Sequence, residues 1–94
     1  MSQDIYSENK YAHIATNTTT QVVTGRCLLV GIAVNTTSAG AISVIDGIAG
    51  STVNVASLKA SVLEGYYPFN CTMASGIRII TAGASDITII YRVA

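Results

Sequence analysis

The chain has 94 residues, which can enclose the core of one domain. Of these residues 11% are charged, against about 25% in an average soluble domain. Five basic and five acidic side chains cancel without a run of either sign, which argues against a nucleic-acid partner. Half of the residues are apolar, so we expect part of the surface to meet another protein subunit.

The first eleven residues are polar, and the apolar side chains among them are scattered: Ile5, Tyr6 and Tyr11. This pattern predicts an N-terminal arm over residues 1–11 that lies outside a folded domain of residues 12–94. The arm has no positively charged region followed by an apolar block, and no apolar run in the chain reaches membrane-spanning length. We therefore expect a protein that is neither secreted nor bound to a membrane.

The remaining residues predict β-strands almost throughout, because β-branched and apolar residues alternate with polar ones between short turn segments. One segment, Val55 to Glu64, has helical spacing and predicts either a short helix or a loop between strands. The expected fold is an all-β, compact antiparallel β-sandwich of seven or eight strands. The predicted strands are residues 12–15, 18–24, 27–35, 41–46, 53–58, 66–73, 77–81 and 86–93.

Several predicted strands are apolar on both faces. Strict alternation in residues 27–35 sets Leu28 and Ile32 on the face that we assign to the core, and Leu29 on the other. Because a sandwich strand normally needs only one apolar face, the second face predicts a subunit interface. Its large side chains are Leu29, Ile45, Ile80 and Ile90. The alternative is that these residues fill a tightly curved small sandwich from both sides.

Few side chains in the chain could carry catalysis. His13 is the only histidine and has no second histidine or cysteine beside it, so it is interpreted as a packing or interface residue. Asp46 and Asp86 stand at strand boundaries, where each either caps its adjoining turn or joins the other in binding a ligand or cation, and we favour the cap. The sequence predicts no catalytic residue, metal site or cofactor, and hence no enzyme.

The cysteines have one interpretation, and the tyrosines allow two. Cys27 and Cys71 lack the spacing of a zinc site and are interpreted as a buried pair of free thiols. Pro68 predicts that residues 66–73 form an edge strand. Exposed Tyr66 and Tyr67 would give a glycan contact by stacking on sugar rings. The alternative packs Tyr67 against the core and sets Tyr66 in a subunit contact.

Two segments, TNTTTQVVTGRCLLVGIAVNTTSAGAISVIDG and SGIRIITAGASDITIIYR, resemble small all-β virion proteins of tailed bacteriophages, which include capsid cement or decoration proteins and short tail-associated proteins. The resemblance covers residues 16–93 and rests on strand texture and turn residues. It implies a jelly-roll-like sandwich that assembles as a homotrimer on a symmetric particle. Because these families share no active site, it assigns no functional residue.

The sequence and this resemblance together lead us to expect a non-enzymatic virion protein, assembled in the cytoplasm of a bacterial host. It would be a trimeric capsid cement or decoration protein that binds the major capsid protein, or another virion protein, and stabilises the shell. Docking is predicted for the arm, through Ile5, Tyr6 and Tyr11. The alternatives are a tail, baseplate or fibre-junction protein and a carbohydrate-binding β-sandwich module.

Overall fold

The computed structural model describes residues 8–36, 40–83 and 85–93, which form an all-β sandwich of eight strands. Every predicted strand is present, with bounds within two residues of those expected. None of the described residues forms a helix that could cross a membrane. The strands are β1 (Lys10–Ile14), β2 (Thr19–Thr24), β3 (Cys27–Thr36), β4 (Ile42–Asp46), β5 (Asn54–Leu58), β6 (Gly65–Met73), β7 (Gly76–Thr81) and β8 (Asp86–Val93).

The strands form two four-stranded antiparallel sheets, with the orders β1-β8-β3-β6 and β2-β7-β4-β5. The pairs β1 with β8, β2 with β7, β3 with β6 and β4 with β5 are those of one long hairpin folded over on itself. This order is a jelly roll. The fold class predicted from the sequence is therefore confirmed, and the helix considered for Val55 to Glu64 is replaced by β5 and the loop after it.

The chain enters the sandwich earlier than predicted. β1 begins at Lys10 and pairs with β8, so Tyr11 lies in an edge strand and not in an arm. The polar composition predicts a boundary at residue 12, but the backbone of β1 forms hydrogen bonds with β8 and so belongs to the sheet from Lys10 onward. Ile5 and Tyr6, the other predicted docking residues, lie outside the described residues.

The space between the two sheets is filled by aliphatic side chains. Ile32 of β3 pairs with Ile89 of β8 in the middle of one sheet, and both are completely buried. Val44 of β4 and Ile79 of β7 occupy the same position in the other sheet. The other fully enclosed aliphatic or sulfur-containing side chains are Cys27, Leu29, Ile42, Met73, Ile77 and Ile87.

A β-bulge in β3 changes which side chains face this core. Leu29 pairs with Tyr91 and Gly31 pairs with Ile90, so Val30 has no partner residue on β8. Because one extra residue shifts the alternation by one position, each side chain before the bulge points to the face opposite the one expected.

The core assignment in β3 is therefore correct after the bulge and wrong before it. Ile32 faces the core as predicted, whereas Leu29 replaces Leu28 as the inward-facing leucine. Leu29 is completely buried, so the prediction that it forms a self-association surface is wrong.

Candidate interaction surface

The outer face of the β1-β8-β3-β6 sheet is the side that points away from the core. Ile87 and Ile89 of β8 point inward, so the residues between and after them, Thr88, Ile90 and Arg92, point outward. Register places their neighbours on the other strands in three rows across the sheet. These are a polar row (His13, Thr88, Ala33, Tyr66), an apolar row (Tyr11, Ile90, Gly31, Pro68) and a third row (Arg92, Leu28, Thr72).

The apolar row is continuous because the ring of Tyr66 lies across Gly31. A Cβ atom on Gly31 would overlap the Tyr66 phenol ring, so only glycine lets that ring lie over the backbone here. Gly31 pairs with Ile90, and Ile90 pairs with Tyr11 at the sheet edge. Tyr11 is 74% exposed and Tyr66 is 49% exposed. The outer face therefore presents two aromatic rings on either side of a central isoleucine.

A hydrogen-bonded network lies at one end of the outer face. The Asp86 carboxylate accepts a bond from His13 Nε2 at 2.5 Å and from Asn35 Nδ2 at 3.1 Å. Asn35 Nδ2 also donates to Thr88 Oγ1 at 3.1 Å. These bonds join β1, β3 and β8, and those from His13 and then Asn35 hold the pKa of Asp86 below its ordinary value of 3.8.

The opposite end of the outer face is cationic. Arg92 is exposed and its Nε donates to Asn9 Oδ1 at 2.5 Å, just before β1 begins. Asp86 and Arg92 thus stand at the two ends of β8, with the apolar row between them. The face has one carboxylate end, one guanidinium end and an apolar centre.

The lowered pKa of Asp86 predicts an acid-sensitive contribution to stability. Because the folded pKa lies below the unfolded one, the contribution is present above pH 3.8 and is lost as the pH falls through the folded value. We expect Asp86→Asn to lower the urea midpoint at pH 5, and the difference from the wild type to close below pH 3.8. NMR titration of the Asp86 carboxyl carbon should give a pKa below 3.8 in the wild type.

The matched variant for this titration is His13→Gln, which removes the first partner and leaves Asn35 in place. The pKa of Asp86 should then move back toward 3.8. An Asp86 that titrates at or above 3.8 in the wild type would contradict the network.

The structure does not bring the four predicted self-association residues together. Ile90 is partly exposed on the outer face, and Leu29 lies in the core. Ile45 and Ile80 lie on the outside of the other sheet, where Ile45 pairs with Arg78 and is 9% exposed. Since the two sheets turn their outer sides in opposite directions, Ile90 cannot share one surface with the other two.

The two adjacent tyrosines also separate. Tyr67 packs against the core, and its hydroxyl donates to the Leu63 carbonyl at 2.5 Å. A glycan contact that uses both rings is therefore ruled out, because successive residues of β6 point to opposite sides. The edge position of β6 is as Pro68 predicted, and the core position of Tyr67 is as the alternative interpretation predicted.

Asp46 acts as a cap, but of a turn distant in sequence. Its Oδ2 accepts from Ala74 N at 2.9 Å and its Oδ1 accepts from Ser75 N at 2.8 Å, in the turn between β6 and β7. It does not meet Asp86. Asp46 lies beside the start of β7 and Asp86 opens β8, and a short connection joins the end of β7 to the start of β8, so the carboxylates lie at opposite ends of the sandwich.

The cysteines lie on adjacent strands, and both are free thiols. Cys27 pairs with Met73 and Cys71 pairs with Leu29, which sets the two thiols diagonally across β3 and β6. Burial raises the pKa of Cys27 to about 11, with smaller contributions from Asp46 and Cys71. Burial also raises the pKa of Cys71. Neither thiol is activated for nucleophilic chemistry.

Within residues 8–36, 40–83 and 85–93, no three His, Cys, Asp or Glu side chains lie close enough to hold a metal ion. No functional role was predicted from the sequence for three side chains around the apolar row: Asn35, Thr88 and Arg92. Alternation alone placed Thr88 and Arg92 beside Ile90, but only the register of β3 against β8 brings Asn35 to Thr88.

Comparisons with protein-family models, with curated proteins and with solved structures found no match to the chain. These comparisons assign no family to the chain, and its biological role is a proposal.

Proposed function

We propose that the protein is a non-enzymatic structural protein of a bacteriophage virion, a capsid cement or decoration protein that binds the outer shell and stabilises it. The observation that carries this proposal is the apolar row on the outer face, from Tyr11 through Ile90 to the Tyr66 ring. Antiparallel sheets that face water usually carry polar side chains outward. An apolar outer face on a weakly charged protein supports contact with other protein subunits.

The proposed mechanism is a bridge between neighbouring shell subunits. The residues before β1, with Ile5 and Tyr6, would contact the shell, and the outer face would contact a neighbouring copy. Because the protein binds only the assembled shell, binding shifts the equilibrium toward the intact particle. At a free concentration one hundred times the dissociation constant, each site contributes about 2.7 kcal/mol.

The number of copies follows from the resemblance, which implies a homotrimer. Packing the outer side of one sheet on the outer side of the other sheet of the next copy would give an open stack, since these sides point in opposite directions. A closed ring of three would therefore use strand edges or loops of the sandwich. Ile45, Ile80 and Ile90 cannot all serve one such interface.

The proposal is tested by adding the purified protein to expanded capsids that lack a cement protein. We expect saturable binding in a pelleting assay and a higher temperature of capsid disruption by calorimetry. Imaging of the particle should place the protein on the outside of the shell.

Two results would favour the other functions. Absence from capsids together with cofractionation with tails would move the protein to the tail, baseplate or fibre junction. Binding to a glycan array that is lost in Tyr66→Ala and kept in Tyr67→Phe would indicate a carbohydrate-binding module, since Tyr66 presents its ring outward whereas Tyr67 packs against the core.

A further inference from the structure

We infer that the outer face pairs with the outer face of a second copy about a two-fold axis. The axis lies in the plane where the two outer faces meet and runs perpendicular to their strands. This inference rests on the proposed function, because it names the partner of the surface proposed there. It concerns the free protein, so it is tested without a capsid.

The direction of the axis follows from charge. Asp86 and Arg92 lie six positions apart on β8, a separation of roughly 20 Å along a strand. If the second copy ran in the same strand direction, each charge would face its like. With the direction reversed, Asp86 of one copy lies over Arg92 of the other, and the same contact is repeated by symmetry. The outer face is thus complementary to itself only in the reversed arrangement.

The position of the axis follows from the same two residues. Their midpoint on β8 is Ile89, between the polar row and the apolar row. Ile90 of one copy then lies over Thr88 of the other. The Tyr66 ring, which starts in the polar row and extends over Gly31 in the apolar row, lies close to the axis. The inferred contact therefore brings Tyr66 against Tyr66 of the second copy.

The size of the face predicts a weak contact. Four strands cover about 19 Å across, and eight residues of β8 cover about 26 Å, so each copy contributes roughly 500 Å². The total of roughly 1,000 Å² lies at the lower limit for specific interfaces. We expect the pairing to depend on protein concentration in the micromolar range. Pairing doubles the mass of the particle in solution, whether that particle is a single chain or a trimer built through strand edges.

Analytical ultracentrifugation over a dilution series tests the pairing. The mass should fall by half on dilution, and Ile90→Arg should hold it at the lower value at every concentration tested. The matched control is Ile80→Arg, a partly buried isoleucine on the outside of the other sheet, which should leave the doubling unchanged. Circular dichroism melts of both variants establish that they fold.

Two further measurements test the arrangement. Arg92→Glu should weaken pairing about tenfold at low salt and less at high salt, because two charge pairs become repulsive and salt screens them. Photo-oxidation should produce a dityrosine-linked dimer that is lost in Tyr66→Phe and kept in Tyr11→Phe. Loss of this cross-link in Tyr11→Phe instead would overturn the position of the axis.

The pairing and the proposed function fail separately. A mass that does not change on dilution, or that is halved by Ile80→Arg instead of Ile90→Arg, overturns the pairing even if the protein binds capsids. Failure to bind capsids overturns the cement function, and the free protein can still pair.

Discussion

Leu29→Ala is expected to lower the free energy of unfolding by about 2–5 kcal/mol, the usual cost of truncating a leucine that is completely buried. The loss combines the transfer free energy of the missing methyl groups with the cavity that remains between the sheets. Leu29 pairs with Cys71 on one side and Tyr91 on the other, and both of these side chains pack against the core. Urea denaturation followed by circular dichroism measures the difference.

The adjacent Leu28 is the matched control. It points to the outer face before the bulge and is partly exposed, so Leu28→Ala should cost less than about 1 kcal/mol. The two variants remove the same atoms from neighbouring positions and differ only in the side of the sheet. A larger loss for Leu28→Ala than for Leu29→Ala would mean that the alternation of β3 continues without a bulge at Val30.

Asp46→Ala is expected to lower the free energy of unfolding by about 2–3 kcal/mol. The substitution removes two charge-assisted hydrogen bonds and leaves the N–H groups of Ala74 and Ser75 without their acceptor. Because both groups are near the surface, water replaces part of the loss. The β6–β7 turn should exchange its amide hydrogens faster in this variant, which hydrogen exchange measured by NMR detects at these two residues.

Asp46→Asn is the graded control, because an amide keeps one oxygen acceptor while its NH₂ group cannot accept a bond. The free energy of unfolding of Asp46→Asn should lie between the values for the wild type and for Asp46→Ala. Thermal and urea midpoints of Asp46→Ala equal to those of the wild type would show that the carboxylate does not hold the turn.

Most of the fold could be predicted because its signals are local. Alternating β-branched residues separated by small polar turns predicted all eight strands, and Pro68 correctly assigned β6 to an edge. The first strand begins at Lys10, two residues before the predicted start, since its start depends on pairing with β8 and not on its own polar residues.

The faces could be predicted only where the alternation is unbroken. In β8 the outward position of Ile90 follows from the pattern, as does the inward position of Ile89. In β3 the alternation is interrupted at Val30 by a bulge. The bulge depends on how β3 pairs with β8, and the residues of β3 do not predict it. This single extra residue moved Leu29 from a predicted surface to the core.

Composition and period-two alternation are properties of neighbouring positions, so they were enough to predict the all-β sandwich and its excess of apolar strand residues. Which of those residues share a surface depends on how the strands pair, and this could not be predicted from neighbouring positions. Tyr11, Ile90 and Tyr66 meet on the outer face, and Ile45 with Ile80 lies on the opposite side, through strand order and register that join residues far apart in the chain. The strand order of the jelly roll places these three separately predicted residues on one surface, since cross-strand pairing, and not distance along the chain, sets which side chains are neighbours.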